Sequence, residues 1–193
     1  AGMRGYEGVK GLPFDVAAAK KLLAEAGYPE GKGFPKVELL YNTNELHRVV
    51  TQAVQQMWKE HLGIQVELTN VEWKVYLARQ SSLDYQISRA GWIGDYVDPN
   101  TFLDMWITGG GNNQTGWSSK RYDDLIAQAA CKIVNAKDRM NALQEAEQIL
   151  AAEEVPIMPL FTYVNKGMLS RRVKGWHPNI LDQHPLKYIS LER

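Results

Sequence analysis

Two carboxylates, Asp95 and Asp98, stand three residues apart in the segment Arg89-Ala90-Gly91-Trp92-Ile93-Gly94-Asp95-Tyr96-Val97-Asp98-Pro99. Paired carboxylates could pass a proton to and from a substrate as general acid and base. A lone carboxylate in a loop at a strand end could instead hold an ammonium group by a charge-assisted hydrogen bond. An architectural use is also open, one carboxylate capping the next helix and the other closing a turn. Arg89 ends an apolar run, and a guanidinium there needs a partner because burying it bare is costly. It could grip a ligand carboxylate through two N–H groups, or make a structural salt bridge. Trp92, beside glycines, is the tryptophan expected to line a cleft. Trp73, Trp106 and Trp117 read as packing residues.

Other chemistries find little support. Gly109-Gly110-Gly111 follows a helical stretch and precedes no Gly-Lys-Ser/Thr, so it reads as a flexible loop and not a phosphate cradle. His47, His61, His177 and His184 lack a compact zinc spacing, so no metal and no cofactor is expected. No nucleophile elbow is present, and no residue is assigned a catalytic role. Cys131, the single cysteine, lies in an apolar helical pattern and reads as a small core residue. Lys plus Arg equals Asp plus Glu at 22 each. That balance gives no electrostatic case for nucleic acid or an anionic membrane. The basic stretch Lys166, Arg171, Arg172 and Lys174 reads as a solvated face. No run of 18 apolar residues occurs. No signal peptide opens the chain, so a leader was removed or the natural N-terminus lies elsewhere.

The elements that must position Arg89 to Asp98 follow from periodicity. Asp15 caps a helix running to Ala26, with Val16, Ala19, Leu22, Leu23 and Ala26 on one stripe and Gly27 as its stop. Val37 to Asn42 reads as a strand. Leu46, Val49, Val50, Ala53, Val54, Met57 and Trp58 then keep helical spacing between an Asn44 cap and a Gly63 stop. Ile64, Val66 and Leu68 alternate with polar residues as a half-buried strand. A helix over Glu72 to Ser81 and a strand over Tyr85 to Trp92 complete a β-α-β-α-β run. Such strands lie parallel, and ligands bind beyond their carboxyl ends, where Arg89 to Asp98 begins. Further on, Asn100 to Ile107 reads as a short helix and Thr108 to Lys120 as a loop. Tyr122 to Val134 and Met140 to Leu150 read as paired helices, and Pro156 to Val164 as an apolar strand. Lys166 to Arg193 has too few periodic apolar positions to build its own core.

These segments, taken in order, resemble family 5 extracytoplasmic solute-binding proteins of bacterial ABC importers, of the oligopeptide- and dipeptide-binding type. Asp15 to Tyr28 resembles their "D-x-x-x-A-K-x-L-L-A-E-A-G-Y" helix, and Leu62-Gly63-Ile64-Gln65-Val66 their "LGI-x-V" strand entry. Arg89-Ala90-Gly91-Trp92, with Asp95-Tyr96 and Asp98-Pro99, is similar to "RAGW-x-x-DY-x-(D/E)-P". Asn112-Asn113 with Tyr122-Asp123-Asp124-Leu125-Ile126, and Pro156 to Tyr163, resemble later blocks. The resemblance implies a periplasmic-binding-protein-like (type II) α/β lobe: an open, mostly parallel sheet flanked by helices. It implies no enzyme, but a two-lobed trap closing on an extended peptide and delivering it to an ABC permease in the membrane. The parent protein is then periplasmic or extracytoplasmic and membrane-associated. Asp95 would take the peptide's α-ammonium and Arg89 a peptide carboxylate. Trp92, Gly91, Ala90 and Tyr96 would flank the ligand.

The resemblance also implies boundaries. Residues 1–164 match the C-terminal ligand-binding lobe, and residues 165–193 match the tail that crosses back to complete an N-terminal lobe missing here. The chain is therefore expected to be a C-terminal fragment, whose orphan tail could pair two copies by edge-strand addition. Ile93 and Gly94 occupy variable motif positions, which leaves peptide length and side-chain preference open. Other family 5 ligands, an oligosaccharide or a nickel complex, stay as alternatives, and a small α/β hydrolase as a remoter one.

Overall fold

Strand β1, Val37–Asn42, lies between two parallel neighbours in a computed structural model that describes residues 3, 5–164, 166–179 and 181–192. Strand β2, Val66–Val71, pairs with it from Val37↔Val66 to Asn42↔Val71. Strand β3, Ile87–Ser88, pairs on the other side through Leu39↔Ile87 and Leu40↔Ser88. The order is β2-β1-β3. Consecutive Leu39 and Leu40 are both buried, which is how a parallel strand covered on both faces reads.

Helix α2, Glu45–Leu62, joins β1 to β2, and helix α3, Trp73–Ser81, joins β2 to β3. The two crossovers run in opposite directions across the sheet, and the right-handed rule for such connections carries the two helices to opposite faces. Asn44 Oδ1 caps α2 by accepting from the Leu46 and His47 amides at 2.9 and 3.2 Å. Gly63 ends it at φ 71°, where a Cβ would also lie 2.5 Å from the Glu30 carbonyl oxygen. Val54 and Trp58 pack with Leu39, Ile64 and Val66, and Leu23 from helix α1, Val16–Glu25, joins them. Leu46, Val49 and Met57 of the same helical stripe remain exposed. At the amino end of β1, Arg79 donates to both oxygens of Glu38 at 2.9 and 2.8 Å, clipping α3 to the sheet. These elements form one compact unit, Leu12–Trp92 with Gly111–Gly116.

The second unit comprises Ala1–Gly11, Ile93–Gly110 and Trp117–Arg193. Helix α4, Asn100–Leu103, runs into a 3-10 turn at Asp104–Trp106. Helix α5, Lys120–Cys131, and helix α6, Ala136–Gln148, pair through Tyr122, Ile126, Ala129, Ala142, Leu143 and Ala146, as expected of a hairpin. A π-helical turn at Ile149–Glu153 extends α6, and the N-terminal segment docks there through a 2.5 Å Tyr6–Glu147 hydrogen bond. Strands β4, Val173–Lys174, and β5, Ser190–Leu191, form a separate antiparallel pair.

Four expectations change. Strand β3 keeps two residues of the expected Tyr85–Trp92, although the Arg89 amide still donates to the Leu40 carbonyl at 2.8 Å. Pro156 to Val164 forms no strand. Among the described residues no neighbour ladders onto it, and Met158, Leu160, Phe161, Tyr163 and Val164 are exposed. Cys131 is exposed rather than core. The buried stripe of α5 falls at Tyr122, Ile126 and Ala129, and two residues further turns the thiol to the opposite side. The helix stops there, short of the expected Val134, which is 99% exposed.

Candidate functional site

The six residues singled out divide between the two units. Arg89, Ala90, Gly91 and Trp92 leave the carboxyl end of β3 in the sheet unit, and Asp95 and Tyr96 belong to the helical unit.

In the sheet unit, β1 and β3 are adjacent, and the chain reverses its direction of travel across the sheet there. That is the place where open parallel sheets hold ligands. Arg89 is fixed by its backbone on two sides. Its amide donates to Leu40, and its carbonyl accepts from the Tyr76 hydroxyl at 2.6 Å. Tyr76 is buried on α3, and that burial raises its pKa. The Arg89 guanidinium folds back over Gly91, where a Cβ would sit 3.4 Å from Nη2 and 3.7 Å from Nη1. Ala90 and Gly91 are exposed, and Trp92 is 39% exposed.

His47 joins this end of the sheet, a residue that the metal-oriented reading of the histidines passed over. Its Nδ1 lies 2.9 Å from Asn42 Oδ1, at the end of β1. Burial, and then the Arg89 charge, hold its pKa below the ordinary imidazole value. The neutral ring is therefore favoured beside the guanidinium. The signal available in the sequence was position: His47 falls in the first turn of α2, directly after a strand's carboxyl end.

In the helical unit the two carboxylates have different surroundings. Asp98 meets Arg139 of α6 in a two-pronged ion pair at 2.7 and 2.9 Å. Its Oδ1 also accepts from the Asn100 amide at 2.9 Å, at the start of α4. Arg139's hydrogen bonds, followed by that backbone contact, hold the Asp98 carboxyl below the usual carboxylate range. Asp95 is exposed, and its amide donates to the hydroxyl of buried Thr101 at 3.0 Å. Among the described residues its carboxylate has no hydrogen bond or ion pair within the chain. Tyr96, 44% exposed, donates to Asp104 Oδ2 and accepts from Asn100 Nδ2, both at 3.2 Å. Gly94 has a steric reason despite its variable motif position, since a Cβ would meet the Phe102 ring at 2.8 Å.

The architectural use of the carboxylate pair thus falls to Asp98. It caps and clips, while Asp95 presents an acceptor to solvent. General acid–base chemistry by the pair has no geometric basis, because Asp98 is engaged on both oxygens.

Residues 2–114 match the family described as bacterial extracellular solute-binding proteins, family 5 Middle. The chain is 40% identical over 181 residues to the oligopeptide-binding protein OppA of Bacillus subtilis, covering 90% of this chain and 33% of that one. It superposes on the unliganded open form of MppA, a periplasmic murein tripeptide-binding protein, with TM-score 0.84 and 34% identity, over 98% of this chain and 38% of that one. Haemophilus influenzae OppA, solved in complex with the peptide RPPGFSPFR, matches with TM-score 0.76 and 34% identity over 91% and 34%. The chain spans about a third of the length of the curated relatives it matches. On this match, across more than half of its residues, the chain belongs to the family 5 bacterial extracellular solute-binding proteins.

Proposed function

We propose that this chain is part of the solute-binding component of an ABC importer that captures extended oligopeptides. The reading assigns residues 1–164 to one ligand-binding lobe and residues 165–193 to a tail completing a second. It sets the protein outside the cytoplasmic membrane and gives it an ABC permease as partner. Asp95 receives the peptide α-ammonium, Arg89 receives a carboxylate, and Trp92, Gly91, Ala90 and Tyr96 flank the peptide. His47, neutral and next to Arg89, supplies a further polar contact.

The observation that carries this reading is the contrast between the two carboxylates. Asp98 is consumed by Arg139 and the Asn100 amide, whereas the Asp95 carboxylate is exposed and, among the described residues, unengaged. A fixed backbone beneath a free carboxylate suits a ligand ammonium. The relatives named for peptides support the ligand class.

Calorimetric titration of a di- to pentapeptide panel tests it, using the full reading frame that encodes the chain, with an Asp95→Ala variant alongside. Each peptide is used with a free and with an acetylated N-terminus. Binding of free-amine peptides that either change abolishes is the expected result. Absence of binding, or indifference to acetylation, overturns the peptide reading and sends the search to sugars and metal chelates. The chain alone is expected to bind weakly. An exposed ion pair contributes only ~0–1 kcal/mol, against about 8 kcal/mol for micromolar affinity.

A further inference from the structure

Arg139 stands forty-one residues beyond Asp98 in sequence, on helix α6, and no motif joins the two. Its guanidinium makes three hydrogen bonds: Nη1 and Nη2 to the Asp98 carboxylate, and Nε to the Ala129 carbonyl at 2.8 Å near the end of α5. The two side chains are 24% and 25% exposed. From Asp98 the contacts continue towards Asp95. Asp98 Oδ1 takes the Asn100 amide and the Asp98 carbonyl takes the Thr101 amide at 3.2 Å. The Thr101 hydroxyl then takes the Asp95 amide. Arg139 thus ties the loop to the α5–α6 hairpin, a rigid element with its own buried core.

We infer that Arg139 is the positioning residue for Asp95. By occupying both Asp98 oxygens it fixes the 95–101 loop and leaves Asp95 as the single carboxylate of the pair that meets a cationic ligand. The inference rests on the proposed reading of Asp95 as the ammonium acceptor. Without the clip, Asp98 would be a second free anion three residues away, and the loop would lose its anchor. A lysine at 139 keeps the charge but has neither the planar fork nor the Nε contact, so it restores little of the geometry.

The test uses the full reading frame with Arg139→Met, Arg139→Lys, Asp98→Asn and the double variant Asp98→Asn/Arg139→Met. Calorimetry compares one free-amine peptide with its acetylated form, and hydrogen exchange follows the amides of residues 95–101 against those of β1. Arg139→Met is expected to weaken the free-amine peptide about tenfold, the scale of lost support to a ligand-contacting group. The acetylated form should show no binding in any variant, so the loss is read on the free-amine peptide. Arg139→Lys should recover only part. The double variant should lose no more than the worse single one, because both act through one contact. Exchange at 95–101 should quicken while β1 stays protected, which separates loop release from general destabilisation. An unchanged affinity of Arg139→Met for the free-amine peptide, or unchanged exchange at 95–101, overturns the inference. If the unmodified protein ignores acetylation, the proposed function falls and takes Asp95's role with it. The exchange arm then still decides whether Arg139 holds the loop.

Discussion

The Tyr76 hydroxyl donates to the Arg89 carbonyl oxygen at 2.6 Å, so a buried side chain of α3 holds the residue at which β3 ends. Tyr76→Phe removes the donor and leaves that carbonyl short of a partner. The expected cost is about 1 kcal/mol, read as a lower urea midpoint with unchanged slope. Under the proposed reading, Arg89 should also hold a peptide carboxylate more weakly. An unmoved midpoint would show that this contact adds nothing to stability.

Gly94→Ala brings a methyl against the Phe102 ring and, at 3.0 Å, against Thr101 Cγ2. Overpacking of this kind costs about 1–3 kcal/mol. Gly111→Ala is the control, since a Cβ there meets nothing within 4 Å. Denaturant curves of the two variants should separate clearly, and coincident curves would refute the steric reading of Gly94.

Asp98→Asn and Asp95→Asn should differ in stability as well as in binding. The folded pKa of Asp98 is lowered, so its contribution is fully present above the unfolded value of about 3.9 and lost as pH falls through the folded value. Unfolding measured from pH 6 down to pH 2.5 should show the unmodified chain losing stability on acidification and Asp98→Asn losing less. Some slope should remain, because Glu38 is lowered in the same way, chiefly by its hydrogen bonds to Arg79. Asp95→Asn should stay within about 0.5 kcal/mol of the original at neutral pH, as for surface positions without a partner.

Cys131 should react with a thiol reagent in the native chain, with one equivalent labelled and no denaturant added. Labelling that waits for unfolding would restore the core placement read from the helical pattern.

That reversal illustrates what periodicity conveys. The run from Tyr122 to Val134 has apolar residues at enough helical positions to be taken as one stripe, yet only Tyr122, Ile126 and Ala129 are fully buried, Leu125 and Ile133 are partly so, and Cys131 and Val134 are exposed. Spacing identifies a face, while burial is decided by how far the neighbour extends. Strand β1 was readable because both its faces are covered at the middle, so Leu39, Leu40 and Tyr41 run apolar and buried without alternation. Pro156 to Val164 is also largely apolar, yet among the described residues no strand ladders onto it, and composition alone does not supply one. At the site, the Arg89–Asp98 segment was conspicuous by its residue types, and the Asn44 cap and Gly63 stop by local rules. Arg139 was invisible, because an ion pair across forty-one residues leaves no local pattern. His47 was visible only as a histidine without companions, and its meaning comes from Arg89 arriving on the adjacent strand.

The order β2-β1-β3 makes the earliest of these three strands the central one. Its second edge stays open until Ile87 and Ser88 emerge, some fifty residues later, a matter of several seconds at ordinary translation speeds of about 5–20 residues per second. During that interval Leu39 and Leu40 lie beside unpaired backbone amides and carbonyls, the combination that recruits foreign strands. Pairing with β2 therefore leaves the nascent chain with one open edge of β1 until β3 arrives, and a ribosome stalled between them would display that hazard.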